Sequence, residues 1–177
     1  IPIFQPSDCY ELHQVVQYLS TLEGPAYLRL TGIAPNPTIN KLDYVFKPDS
    51  IVFHRSGSDL LVLTSGSILS NVLSASDSLE SLDIAVCSLP CIWPLPSSLS
   101  ELISSYSSVL VVDEHSATGG LFSSIIDTLS KTNCSLIPRI SNVSLPSNFL
   151  DSGTYADLLS KYGLSVSSLA EKMSSLV

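Results

Sequence analysis

The side chains best suited to chemistry in this 177-residue chain follow an apolar run, at Asp113, Glu114 and His115. With Ser65 or Ser67 as a nucleophile, Asp113 and His115 could form the triad of a hydrolase. The sequence argues against this, because the nucleophile elbow G-x-S-x-G is absent and because the acid and the base lie two residues apart on one extended segment. The three clustered residues could also bind a metal ion, but no second group of ligands accompanies them.

The cysteines do not supply the missing metal ligands. Cys87 and Cys91 are separated by three residues, whereas the common zinc and redox motifs separate them by two. We therefore expect the four cysteines to be buried, reduced thiols, and we predict no metal site.

Two further features could bind a ligand. Thr118, Gly119 and Gly120 open a predicted helix, where free backbone N–H groups can hold an anion; with His115 they are candidates for anion binding or for an interface. The alternative is that this turn only caps the helix. Arg29 lies in an apolar segment, so it must reach either a carboxylate, as a structural ion pair, or a substrate.

The stretch that positions these residues predicts a strand, a tight polar turn and a helix. Val109–Val112 is an unbroken apolar run, typical of a strand covered on both faces. We expect the strand to end at Asp113. Ser116 and Thr118 are predicted to cap a helix that begins near Leu121. A strand, turn and helix in this order form half of a βαβ unit.

The rest of the chain repeats this alternation. Residues 1–30 predict strand, helix and strand, with Asp8 and Glu11 at the spacing of a capping box. Residues 31–58 lose the pattern and are interpreted as a linker with short extended pieces at 44–46 and 51–53. Residues 90–96 are interpreted as a rigid loop. Beyond residue 58, four strands are predicted between helices, at residues 60–63, 82–89, 109–112 and 134–140. The prediction is a small, doubly wound parallel sheet.

Composition excludes two classes of partner. The formal net charge is −8, whereas a protein that binds nucleic acid needs a basic face. No apolar run approaches the roughly 20 residues that a membrane-spanning helix requires. Hydrophobic residues make up 45% of the chain, which is enough for a buried core.

Four segments taken in order carry a family resemblance. They read PSDCYELHQVVQYLSTLEGPAYLRLTG, DLLVLTSGSILSNVL, VLVVDEHSATGGLFSSI and FLDSGTYADLLSKYGLSVSSLAEKM. Together they resemble the C-terminal portion of transketolase-like enzymes, a group that includes deoxyxylulose-phosphate synthases and the beta subunits of 2-oxoacid dehydrogenases. The likeness is closest to the C-terminal subunit of transketolases that are encoded as two chains.

The resemblance implies an α/β fold with three layers and a mostly parallel, mixed five-stranded sheet. Residues 1–31 would be the end of the pyrimidine-binding domain, 32–58 a linker and 59–177 the C-terminal domain. The parent enzyme would transfer a two-carbon ketol unit between sugars with thiamine diphosphate and a divalent cation, Mg²⁺. The catalytic glutamate and the G-D-G motif of the family are missing, so this chain alone would hold no cofactor and supply no catalytic residue.

The resemblance also implies a partner. The missing N-terminal, cofactor-binding portion would complete the enzyme as a homodimer or heterotetramer in the cytoplasm. Relatives that act on phosphorylated sugars place an arginine where this chain has Gly32, so we predict that the donor is an unphosphorylated sugar or a 2-oxo acid. The alternatives are a non-catalytic interaction or anion-binding module, part of a 2-oxoacid dehydrogenase beta subunit, or part of a deoxyxylulose-phosphate synthase.

Overall fold

The computed structural model describes residues 1–31, 37–132 and 138–177, which form eight strands and six α-helices. The strands are β1 (Ile3–Phe4), β2 (Tyr27–Leu28), β3 (Val52–Arg55), β4 (Leu60–Thr64), β5 (Ile84–Ser88), β6 (Cys91–Trp93), β7 (Ser108–Ser116) and β8 (Arg139–Leu145). The helices are α1 (Cys9–Leu19), α2 (Leu69–Asp77), α3 (Leu99–Ser104), α4 (Leu121–Ser130), α5 (Tyr155–Lys161) and α6 (Val166–Ser174). A 3₁₀ turn at Gly66–Ile68 leads from β4 into α2.

The larger sheet has five strands in the order β3-β5-β4-β7-β8. Neighbouring strands are parallel except at one edge, where β3 runs antiparallel to β5. All residues of β4 and β5 are buried, because helices cover both faces of the sheet. This confirms the predicted mixed, five-stranded α/β architecture.

Alternation along the strands assigns side chains to the two helical layers. Leu60 and Val62 of β4 pack with α2 and α6 on one face. Leu61 and Leu63 pack with α3 and α4 on the other. The sheet is therefore the middle of three layers.

A second sheet, called the N-terminal sheet below, has three strands in the order β2-β1-β6 and combines the first two strands of the chain with β6. Phe4 of this sheet packs with Val15 of α1, Phe46 and Cys91 in a separate apolar cluster. The predicted cap of α1 is confirmed: the side chain of Asp8 accepts a hydrogen bond from the amide of Glu11.

Three local predictions differ from the structure. β7 does not end at Asp113 but continues to Ser116, because β8 pairs with it that far. The segment predicted as a rigid loop, 90–96, contains β6, which pairs antiparallel with β1. The strand predicted at 134–140 instead runs from Arg139 to Leu145, while Cys134 lies outside the described residues.

The stretch 32–58, interpreted as a linker, contributes β3 to the large sheet. Of the cysteines that the structure describes, Cys87 and Cys91 are buried as expected, but Cys9 is exposed. Among the helices of the described ranges, none is both long and apolar enough to pass through a bilayer.

Candidate functional site

The carboxyl ends of β4 and β7 meet the N-terminal sheet, and Arg29 bridges the two. Arg29 follows β2 directly, and its amide donates to the carbonyl oxygen of Phe4 at 2.8 Å. Its side chain, 19% exposed, extends away from the N-terminal sheet toward β7. Nη2 donates to the carbonyl oxygen of Glu114 at 2.6 Å, and Nη1 donates to Oε1 of Gln5 at 3.3 Å. One residue is thus hydrogen-bonded to both sheets.

Asp113 faces this arginine from inside the domain. Its side chain is fully buried. Oδ2 accepts a hydrogen bond from the amide of Leu121 at 2.9 Å, whereas Oδ1 has no hydrogen-bond partner among the residues that the structure describes. Nη1 of Arg29 lies 3.9 Å from Oδ1, which is an ion pair without a direct hydrogen bond.

The environment of Asp113 changes its acidity. Burial, the largest influence, raises the pKa of Asp113 above its usual value. The hydrogen bond from Leu121 and the electrostatic interactions with Arg29 and His115 lower the pKa of Asp113 but do not cancel the effect of burial. A buried carboxylate with one hydrogen bond therefore depends on the nearby guanidinium for compensation.

Glu114 joins the same end of the sheet to α5. Its Oε2 accepts hydrogen bonds from the hydroxyl of Tyr155 at 2.9 Å and from that of Ser67 at 3.2 Å. Burial and the adjacent carboxylate raise the pKa of Tyr155 to about 12. Tyr155 therefore remains a protonated donor that secures α5.

The predicted anion-binding turn surrounds the carboxylate of Asp113. The amide of Thr118 donates to Oγ of Ser116 and the amide of Gly119 to Oγ of Ser123. Gly120, rather than Ser116 or Thr118, occupies the N-cap position of α4. The cap is supplied by Asp113, so the helix N-terminus already holds an internal anion.

Gly120 is required at this cap by close approach rather than by an unusual backbone angle. A Cβ placed there would overlap the carbonyl oxygen of Ser116 and lie 2.7 Å from Oδ2 of Asp113 and 3.0 Å from Nδ1 of His115.

His115 itself is half-buried, and its Nδ1 lies 3.1 Å from the carbonyl oxygen of Ser116. Whether His115, Thr118, Gly119 and Gly120 form an interface stays a prediction. Gly32 lies outside the described residues.

The groups of the hypothetical triad are engaged elsewhere. Oγ of Ser65 donates to the carbonyl oxygens of Leu89 and Gln5, and Oγ of Ser67 donates to Glu114. Both hydroxyls thus donate to backbone carbonyl or carboxylate oxygens, and these hydrogen bonds do not pair either serine with His115. Within residues 1–31, 37–132 and 138–177, no three side chains of His, Cys, Asp or Glu come together in a way that could hold a metal ion.

A second cluster of acidic residues, Asp8 and Glu11, was predicted from the sequence only in part. Glu11 is 1% exposed, and its carboxylate accepts from the amide and hydroxyl of Ser7 at 2.7 and 2.9 Å and from the hydroxyl of Tyr44 at 2.6 Å. Asp8 accepts from the amides of Glu11, Ile39 and Asn40. The capping-box spacing predicted the first contact, but the sequence carries no signal for Tyr44, Ile39 or Asn40.

Comparison with known proteins identifies the family of this fold. Residues 49–169 match the family "Transketolase, C-terminal domain". A transketolase family protein of Sinorhizobium fredii is 28% identical over 98% of this chain and 51% of its own length. One subunit of the apulose-4-phosphate transketolase from Actinobacillus succinogenes is 30% identical over 74% of this chain and 43% of its own.

Among solved structures, a split-gene transketolase described as an inactive beta4 tetramer superposes with a TM-score of 0.88 and 27% identity, covering 99% of this chain and 57% of that one. The chain thus spans about half the length of these two transketolase relatives. Because the family match covers most of the chain and the fold agrees with it, the chain belongs to the transketolase C-terminal domain family.

Proposed function

We propose that this chain is the C-terminal part of a thiamine-diphosphate-dependent transketolase-like enzyme that transfers a two-carbon ketol unit between sugars. The observation that carries the proposal is the superposition of nearly the whole chain on part of a split-gene transketolase. In this role the chain supplies scaffold and subunit interface. The hydrogen bonds of Ser65, Ser67 and Glu114 support the scaffold part of that role, since they connect secondary-structure elements within the chain.

The cofactor belongs to the rest of the enzyme in this proposal. Thiamine diphosphate supplies a stabilised carbanion for ketol transfer when it is bound, and its diphosphate requires a divalent cation such as Mg²⁺ with oxygen ligands. The G-D-G motif and the glutamate that the family resemblance requires for this cofactor are not found in this sequence. We therefore assign the chemical step to the partner.

The partner is a cofactor-binding counterpart, either a preceding part of the same protein or a separate subunit. One relative is a transketolase subunit and another is a split-gene transketolase that forms a beta4 tetramer. The subunit relative supports a separate partner chain, and the beta4 structure supports association between copies of this part. On these grounds the assembly is a heterotetramer, with a homodimer of longer chains as the alternative. A cytoplasmic location is part of the same proposal.

The domain organisation follows the same reasoning. We assign residues 1–31 to the end of the pyrimidine-binding domain and the remaining sheet to the C-terminal domain. β1 and β2 lie outside the five-stranded sheet, which supports this division, although β6 of the later segment pairs with β1 across it. The family match begins at residue 49, which favours counting β3 with the C-terminal domain, ahead of the boundary at residue 59.

Reconstitution tests the proposal. The chain would be co-purified with its cofactor-binding counterpart and assayed for ketol transfer from free and phosphorylated ketoses, with and without thiamine diphosphate and Mg²⁺. We expect cofactor-dependent transfer, with the free ketose preferred because Gly32 offers no charged group for a phosphate. Condensation of pyruvate with an aldose phosphate, without ketol transfer, would instead identify a deoxyxylulose-phosphate synthase.

A further inference from the structure

Arg29 is bound to both sheets of the structure through different parts of the same residue. Its backbone is paired with β1 through the carbonyl oxygen of Phe4, whereas its guanidinium binds the carbonyl oxygen of Glu114 in β7. A displacement of the end of β2 relative to the large sheet would therefore break a 2.6 Å, charge-assisted hydrogen bond.

The guanidinium also compensates a buried charge. Oδ1 of Asp113 is buried and has no hydrogen-bond donor in the described part of the chain, and Nη1 of Arg29 is 3.9 Å away. If the end of β2 moved outward, the carboxylate would lose this charge, which is costly in a buried environment. Two independent interactions, one to backbone and one to charge, thus oppose the same movement.

The location of Arg29 connects this restraint to catalysis. β1 and β2 are parallel, and Arg29 follows the carboxyl end of β2. In open α/β sheets, ligands bind outside the carboxyl ends of the strands. A wall formed by the end of β2 must hold its position if it is to contact a bound sugar.

We propose that Arg29 is a positioning residue: by binding Glu114 and facing Asp113, it fixes the carboxyl end of β2 against the large sheet in the assembled enzyme. The inference rests on the proposed function only for its catalytic consequence. It differs from a direct role of Arg29 in substrate binding, because the guanidinium is directed into the protein. Lysine cannot replace it fully, since a single ammonium lacks the planar fork that reaches Gln5 and Glu114 together.

The test uses the full chain assembled with its cofactor-binding counterpart, in the variants Arg29→Met and Arg29→Lys. Amide hydrogen exchange is measured at residues 27–31 and at β4, and KM and kcat are measured for the ketose donor. For Arg29→Met we expect exchange at 27–31 to be about tenfold faster with β4 unchanged, and KM to rise about tenfold. Arg29→Lys should lie between this variant and the wild type.

Arg55→Met is the matched control. Arg55 is also a partly exposed arginine that binds a carbonyl oxygen, that of Ser76, and a carboxylate, that of Asp77. Because these contacts join β3 to α2 and do not reach the N-terminal sheet, this variant should leave exchange at 27–31 and KM unchanged.

Each other outcome overturns the proposal. Unchanged exchange with a raised KM would mean that Arg29 contacts the substrate directly. Faster exchange with an unchanged KM would mean that its restraint has no catalytic consequence. If Arg29→Met fails to fold, Arg29→Lys alone decides between these results. If the wild-type assembly transfers no ketol group, the proposed function fails, and the exchange measurement still decides whether Arg29 restrains β2.

Discussion

Glu11 and Asp113 are both buried carboxylates, but their surroundings are opposite. Glu11 accepts three hydrogen bonds, from Ser7 and Tyr44. Asp113 accepts one, from Leu121, and its second oxygen has no hydrogen-bond partner within the described ranges. Burial is the largest influence on both groups and raises the pKa of each. Both carboxylates therefore pay a free-energy cost for burial. Three hydrogen bonds offset it at Glu11, whereas one hydrogen bond and the charge of Arg29 offset it at Asp113.

The comparison separates a site within one part of the fold from a site that joins two parts. We call the Glu11 site closed, because its donors are Ser7, just before the same helix, and Tyr44, in the segment that packs against that helix. We call the Asp113 site open, although Asp113 is buried, because its compensating charge comes from Arg29 on the other side of the boundary between the two sheets. We infer that a closed site stabilises the fold, whereas an open site is sensitive to how the two sheets are placed.

The largest expected effect is at the closed site. Glu11→Ala should lower the free energy of unfolding by about 3 kcal/mol, because it leaves the amide of Ser7 and the hydroxyl of Tyr44 without an acceptor. Urea unfolding followed by circular dichroism measures this. Glu23→Ala, at an exposed position, should change the value by less than about 0.5 kcal/mol. A similar small change for Glu11→Ala would remove the distinction between the sites.

The next effect tests the packing around Asp113. Gly120→Ala should destabilise the chain by about 2 kcal/mol, because the added methyl group overlaps the backbone at Ser116 and crowds Oδ2 of Asp113. Gly153→Ala is the control, since its Cβ would make only ordinary contacts with Leu158 and Asp157. Thermal unfolding of both variants provides the measurement, and equal melting temperatures would show that the cap can relax.

Removing a single donor from the closed site should have a smaller effect on the free energy of unfolding. Tyr44→Phe removes one donor to Glu11 but leaves both donors of Ser7 in place. We expect a loss of about 1 kcal/mol in the free energy of unfolding. Burial and the charge of Glu11 raise the pKa of Tyr44, so the phenol remains a donor over the accessible pH range. A loss equal to that of Glu11→Ala would mean that Tyr44 alone holds the carboxylate.

The smallest effect concerns the pH dependence of the open site. The folded-state pKa of Asp113 is raised, so the native state holds more protons than the unfolded state. Stability therefore falls as the pH rises from the unfolded pKa, about 3.9, through the folded value. Asp113→Asn removes this contribution, so the variant should gain stability relative to the wild type over that range. Unfolding curves at several pH values would contradict this if the difference were constant.

Asp8 should behave in the opposite sense. Burial acts to raise its pKa, but the hydrogen bonds from the amides of Glu11, Asn40 and Ile39 outweigh burial and lower it. The stability that Asp8 contributes is therefore present above the unfolded pKa and is lost as the pH falls through the folded value. Asp8→Asn should thus reduce the loss of stability in acid, which the same unfolding curves measure.

Much of the fold could be predicted from local sequence. The apolar runs in β4 and β7 and the helical periodicity after Leu121 identify strands and helices that are covered on defined faces. β3 overlaps the short extended piece predicted at residues 51–53, but a pattern this short does not indicate that the strand pairs with the large sheet. The last residues of β7 are polar, and only their pairing with β8 makes them part of the strand.

The candidate site could be predicted only where its contacts are local. The bond between Asp8 and the amide of Glu11 spans three residues and has a known spacing. The bond from Tyr44 to Glu11 spans 33 residues, and that from Arg29 to Glu114 spans 85. The charged character of Arg29 and Asp113 beside apolar strands indicated that each needs a partner, but the fold determines which one.

The proposed function requires this chain to complete a thiamine enzyme whose chemistry lies on a counterpart. The most direct measurement is a titration of the chain into that counterpart, saturated with thiamine diphosphate and Mg²⁺, while the rate of ketol transfer is followed. The account predicts no transfer by either component alone and a rate that rises to a plateau at equal amounts of the two. Ketol transfer by the isolated chain, or full activity of the counterpart without it, would contradict the account.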